Sequence, residues 1–219
     1  MKQFLKNNSL SLVFFSFFLI TLITQVITGI KQYNLKMQEL GGTTVSMTQY
    51  LGSGHFLEAT FENWESEFLQ MALYVTLSMF LYQKGSSESK DPEKESEEVD
   101  RQPNKRRKNA PWPVKKGGFI LSIYKHSLCY TLFLLFILSF LMHWYGSLKD
   151  FNEEQILKGS STQTAWEYLT NSKLWFESFE NWQSEFLSVS SIIVLTIFLR
   201  QKGSPQSKPV DAPDSETGG

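Results

Sequence analysis

Three polar residues at helical spacing, Asn63, Ser66 and Glu67, occur twice in this chain. They return as Asn181, Ser184 and Glu185, inside a nine-residue string that is repeated almost unchanged. Phe61-Glu62-Asn63-Trp64-Glu65-Ser66-Glu67-Phe68-Leu69 becomes Phe179-Glu180-Asn181-Trp182-Gln183-Ser184-Glu185-Phe186-Leu187, and only Glu65 against Gln183 differs. On a helix, Asn63 and Glu67 share a face with Ser66 beside them, while Trp64 and Phe68 form an adjoining aromatic face. Carboxylates at membrane depth are costly unless they are paired, protonated or bound to a cation. A cluster meeting its own copy would therefore handle a proton or a cation. The plainer reading is structural. Acids suit the positive end of a helix, Trp64 and Trp182 suit a membrane interface, and Asn and Ser are hydrogen-bonding glue between membrane helices.

No other residues make a convincing reaction centre. The histidines are His55, His126 and His143. His126 and His143 lie on one expected helix, about 25 Å apart, so they cannot share a metal, and His55 falls in a loop. Cys129, the only cysteine, sits in an apolar run and reads as a small buried hydrophobe. Phosphate loops, metal-ligand clusters and nucleophile elbows are missing from the sequence. The expectation is a protein that is not an enzyme and takes no cofactor and no metal.

The elements that must position the clusters follow from the repeat. Trp182 lies 118 residues after Trp64, and the same offset carries Ser9-Leu10 onto Ser127-Leu128, Asn34 onto Asn152, Gly41 onto Gly159 and Tyr50-Leu51 onto Tyr168-Leu169. The first apolar run, Leu10 to Ile30, is uncharged and long enough to span a bilayer. A cleaved signal peptide is the rival, but no small-x-small site follows, and the run has an internal counterpart in Ser127 to Tyr145. Both are expected to be membrane helices that continue past the membrane until Gly41 and Gly159 stop them. Each is followed by a short surface helix and a break at Gly52-Ser53-Gly54 or Asn171-Ser172. Phe68 to Tyr82 is 15 residues, about 22 Å of helix, too short for a hydrocarbon core of about 30 Å. The spacing therefore predicts that the second helix of each half begins at the motif and ends at Lys84-Gly85 or Lys202-Gly203.

These lengths predict a first repeat over 1–84, with spans at about 10–30 and 61–84. A linker follows over 85–118. The second repeat covers 119–204, with spans at about 119–145 and 179–202, and the tail over 205–219 is expected to be disordered. The linker is rich in Ser, Glu and Lys, so disorder is the expectation there too. Its basic block of Lys105, Arg106, Arg107, Lys108, Lys115 and Lys116 precedes a span directly. It reads as a segment that touches anionic lipid and sets topology rather than one that binds nucleic acid. With a net charge of −1 there is no global pull toward nucleic acid either. Of 21 basic residues, 16 fall on the side shared by the termini and the linker, which puts both termini in the cytoplasm.

The string Asn181-Trp182-Gln183-Ser184-Glu185-Phe186-Leu187, followed by Phe198-Leu199-Arg200-Gln201-Lys202-Gly203-Ser204-Pro205, resembles the signature of a bacterial family of small multi-pass membrane proteins of unknown function. Ser207-Lys208-Pro209-Val210-Asp211-Ala212-Pro213 is similar to the tails of its members. Glu65 departs from the usual Gln of the motif, and Tyr82 stands where Arg200 stands in the second copy. The resemblance implies a bacterial inner-membrane protein and supplies no catalytic residue, substrate or partner. The combined expectation is an all-α membrane protein of four transmembrane helices, arranged as two parallel-repeat hairpins with short extracytoplasmic surface helices. Its role would be structural or interactive, with a second copy or another membrane protein as partner. A small ion or proton channel or transporter is the alternative.

Overall fold

The structure is a computed structural model that describes residues 2–94 and 98–218. It is all-helical: 67% of the chain is helix, and no strand occurs among the described residues. The helices are α1 (Lys2–Asn7), α2 (Ser9–Glu39), α3 (Met47–Leu51), α4 (Gly54–Leu77), α5 (Trp112–Lys116), α6 (Gly118–Lys125), α7 (Ser127–Leu157), α8 (Ala165–Tyr168) and α9 (Ser172–Phe198). Two of them, α2 and α7, are long and apolar enough to cross a membrane. Many apolar side chains in the first half of α2 are uncovered, with Leu10, Phe14, Phe15, Phe17 and Ile20 all exposed. A soluble core helix would bury such residues. Its hydroxyls are satisfied within the helix: Ser16, Thr21, Thr24 and Thr28 donate to the carbonyls of Leu12, Phe17, Ile20 and Thr24. Internal satisfaction of polar groups is what an apolar solvent demands.

The two halves are built by the same local chemistry, bond for bond, at the offset of 118. Gly41 (φ 77°) ends α2, with Gly42 N–H donating to Met37 at 2.7 Å. Gly159 (φ 68°) ends α7, with Ser160 N–H donating to Gln155 at 2.8 Å. Both are left-handed glycine stops that satisfy the last carbonyls of a helix. Asn34 then clasps Val45 through its N–H and C=O, and Asn152 clasps Gln163 in the same way. Reciprocal capping boxes start α3 at Ser46/Gln49 and α8 at Thr164/Glu167. Short breaks at Asn8 and His126, with φ of −122° and −116°, separate α1 from α2 and α6 from α7.

The helix ends differ from expectation in several places. The span expected at 119–145 is divided by the His126 break between α6 and α7. The span expected at 61–84 is α4, which starts at Gly54 and ends at Leu77, so the motif enters two turns inside the helix rather than at its start. That at 179–202 is α9, which starts at Ser172 and ends at Phe198. Starting earlier is possible because Ser53 Oγ accepts from Phe56 N–H and Asn171 Oδ1 accepts from Lys173 N–H, so each helix is capped before the motif. Gly85 and Gly203 are left-handed, at φ 89° and 87°, but lie in turns beyond the helices. In those turns Gln83 N–H donates to Ser89 Oγ and Gln201 N–H to Ser207 Oγ, both at 2.8 Å.

The chain forms two compact units. One comprises Met1–Phe61 and Leu141–Leu174, the other Glu62–Phe140 and Trp175–Gly219. The first is centred on Tyr33, Met37 and Tyr50, packed by Ile30, Leu40, Val45, Phe56 and Leu157. In it α4 and α7 approach at glycines. A Cβ on Gly54 would collide with Asp150 N, and one on Gly146 would lie 2.5 Å from Glu58 N. In the second unit, the polar chain expected to be disordered instead carries specific contacts. Ser86 and Thr196 hydroxyls pair at 2.9 Å, Gly85 N–H donates to Thr217, and Gly218 N–H donates to Ser86 C=O at 3.0 Å. Lys208, 1% exposed, donates to the carbonyls of Pro213, Asp214 and Glu216. Short hydroxyls and one ammonium supply the partners that an apolar core supplies elsewhere. Residues 95–97 of the linker lie outside the described residues.

Candidate functional site

From Glu62 onward the first motif copy lies with the second copy in the second unit, on α4 and α9, and one contact that joins them is unsymmetrical. Trp182 Nε1 donates to Glu65 Oε1 at 2.9 Å, and Glu65 is 0% exposed. The tryptophan of one copy is thus held by the single residue that differs in the other. Aromatic rings enclose it: Trp182 lies 5.3 Å from Phe179 and 6.3 Å from Phe136, both edge-on. Phe140 stacks near Trp175 at 6.0 Å. An indole N–H buried among rings needs an acceptor, and a carboxylate gives it a charge-assisted one. Gln183, the counterpart of Glu65, is exposed.

Of the expected site residues, Glu67 and Glu185 meet across the copies. Their carboxyls interact by charge and through a side-chain hydrogen bond. Ser66 is buried but donates to Asn63 C=O at 2.8 Å in its own helix, and Ser184 donates to Glu180 C=O at 3.4 Å. Asn181 donates to Glu177 C=O at 2.9 Å. Asn63 is exposed and Trp64 half-buried. The serines and Asn181 therefore bond to their own helix backbones. The basic residues Lys105, Arg106, Arg107, Lys108, Lys115 and Lys116 are all exposed, with Lys116 standing 5.0 Å over the Trp112 ring.

The first unit holds a denser set of buried polar groups. Lys36 donates to Asp150 at 2.9 Å and pairs with Glu154 at 3.3 Å. Lys36 and Glu154 occupy equivalent positions of the two halves. Burial pulls the Lys36 ammonium down, but Asp150 and then Glu154 outweigh it, so its pKa stands above the ordinary lysine value. Glu154 is held below the carboxylate range, chiefly by its hydrogen bond from Lys158. Tyr33 donates to Glu153 at 2.8 Å, and burial together with that bond raises its phenol. Tyr50 OH pairs with His55 Nδ1 at 3.3 Å. Its counterpart Tyr168 pairs with Ser147 at 2.8 Å, and Ser147 accepts from Lys173, which also pairs with Glu58 at 2.6 Å. Burial holds the His55 imidazole below its ordinary value.

A family model, described as a domain of unknown function (DUF6766), matches residues 1–219. The chain belongs to the DUF6766 family. No curated protein and no solved structure is detectably similar to it. As a DUF6766 member it thus takes no reaction from its relatives, and the arrangement of its own side chains carries the functional reading.

Sequence reasoning missed the Lys36–Asp150–Glu154 group because Lys36 lies more than a hundred residues before the two acids. One signal could have found it. Lys36 and Glu154 are opposite charges at the repeat offset, and equivalent positions meet wherever two copies pack symmetrically.

Proposed function

We propose that this protein is a non-enzymatic, multi-pass protein of the bacterial inner membrane with a structural or interaction role. In this reading α2, α4, α7 and α9 all cross the bilayer, as two hairpins related by a pseudo-two-fold axis along the membrane normal. Helices α4 and α9 have 24 and 27 residues, so both exceed about 30 Å at 1.5 Å per residue. Two pairs of equivalent residues in mutual contact, Lys36 with Glu154 and Glu67 with Glu185, support the axis. The basic excess around the termini and linker supports cytoplasmic ends, with Lys105, Arg106, Arg107, Lys108, Lys115 and Lys116 against anionic lipid.

The observation that carries the reading is the Trp182–Glu65 bond. It ties the duplicated string of one half to that of the other and leaves its most distinctive residues occupied in packing. Cysteine accessibility scanning from Glu62 to Leu73, with Cys129 replaced by Ser, tests it. Protection from Phe68 onward is the expected result. A water-reactive stripe running several turns past Glu67 would contradict it.

A second reading has one observation in its favour. Two carboxyls in mutual contact can hold a single proton between them, so Glu67 and Glu185 would suit a small proton channel or transporter. That reading requires a proton leak in liposomes that Glu67→Gln and Glu185→Gln abolish. Equal flux in protein-containing and empty liposomes would remove it.

A further inference from the structure

The equivalence of the halves puts His55 and Lys173 at the same position, each one residue past a helix start and beside a buried tyrosine. In the second half the ammonium is permanent, and its partners are in place: Ser147, which carries the Tyr168 hydroxyl, and the Glu58 carboxylate. In the first half the position holds a titratable ring. Ser147 is replaced by Gly29, where the Tyr50 hydroxyl fills the space a Cβ would need. Tyr50 is 1% exposed and lies between Tyr33, His55 and Phe56, with ring centres 5.7–5.9 Å away. It is the buried anchor of α3. Its hydroxyl is pressed against α2 on one side and bonded to His55 Nδ1 on the other.

A neutral imidazole can accept from that hydroxyl, whereas a protonated one has only donors and keeps the contact only by reversing it, donating to the phenolic oxygen. A destination for the charged ring is already present. Asp150 lies against Gly54, the neighbour of His55, and its Oδ1 is buried without a hydrogen-bond partner while Oδ2 holds Lys36. The groups acting on His55 from the packed elements are Asp150 of α7, which favours the charged ring, and Lys36 of α2 and Lys173 of α9, which oppose it. Tyr33 and Tyr50 contribute their rings.

We propose that His55 is a proton-sensing site: protonation removes the acceptor for the Tyr50 hydroxyl, and the charged ring turns from the phenol to the unpaired carboxylate oxygen of Asp150, which loosens the hold of Tyr50 and releases α3 from the first unit. The sign follows from the direction of its affinity. Burial makes the folded state bind the proton less readily than the unfolded chain, so the α3 anchorage is complete above the ordinary histidine value. It is lost as pH falls below that value.

Amide hydrogen exchange of the full chain in detergent at pH 7.5 and 5.0, corrected for intrinsic rates, tests this. Protection over 46–57 should fall severalfold at the lower pH. Protection over 164–175, where Lys173 is charged at both values, should not change. His55→Gln should abolish the pH effect, and His55→Lys should give the low protection already at pH 7.5. Equal pH responses of the two segments in the parent protein would overturn the proposal. So would a folded His55→Gln protein that still shows the drop, or a His55→Lys protein protected like the parent at pH 7.5.

Discussion

Asp150 is 2% exposed and accepts a hydrogen bond from Lys36. Removing one partner of a buried pair leaves the other charge uncompensated, which costs about 3–5 kcal/mol. Lys36→Met should therefore destabilise the protein by about 3 kcal/mol, toward the low end because Lys36 is partly exposed. Lys36→Met combined with Asp150→Asn should recover part of that loss; thermal unfolding in detergent reads both. Single variants that unfold no earlier than the parent protein would show that the pair contributes nothing. Little of this network was legible in the sequence. The motif residues stood out because they repeat, whereas Asp150 replaces Gln32 and His55 replaces Lys173 at equivalent positions. Departures from the repeat hold much of the buried charge, so a reading guided by identity passes over them. Glu65 is the instructive case: the one mismatch in the motif is the residue that binds Trp182.

At the level of elements, the glycine stops, the short surface helices and the long first helix of each half followed from local chemistry alone. The starts of α4 and α9 did not. The length argument placed them at the motif, but Ser53 and Asn171 cap the helices earlier. The polar segments after α4 and α9 misled for a different reason. Their composition cannot build an apolar core, yet Ser86, Ser89, Ser207, Thr217 and Lys208 satisfy backbone groups one at a time. The close passage of α4 and α7 makes a prediction at this scale. A side chain at Gly146 would press on the backbone nitrogen of Glu58, so Gly146→Val should cost about 1–3 kcal/mol through overpacking. Gly159→Ala tests a different property, since its space is open and only its positive φ penalises a side chain. A smaller loss, about 1 kcal/mol, is expected there. Melting temperatures of the two variants in one detergent would rank them, and a Gly146→Val protein as stable as the parent would refute the close approach.

For the whole molecule, the proposed arrangement has an even number of spans, with both termini and the linker on the cytoplasmic side and the loops carrying α3 and α8 on the other. Two apolar helices are clear from composition. The proposal adds α4 and α9, which carry the acids of the motif, on the strength of their length and of the repeat. Labelling of single cysteines with a membrane-impermeant maleimide, with Cys129 replaced by Ser, tests the arrangement most directly. Thr48→Cys and Thr162→Cys should react in spheroplasts of intact inner membrane, while Ser87→Cys and Gln206→Cys should react only after permeabilisation. Labelling of all four from the same side would contradict it.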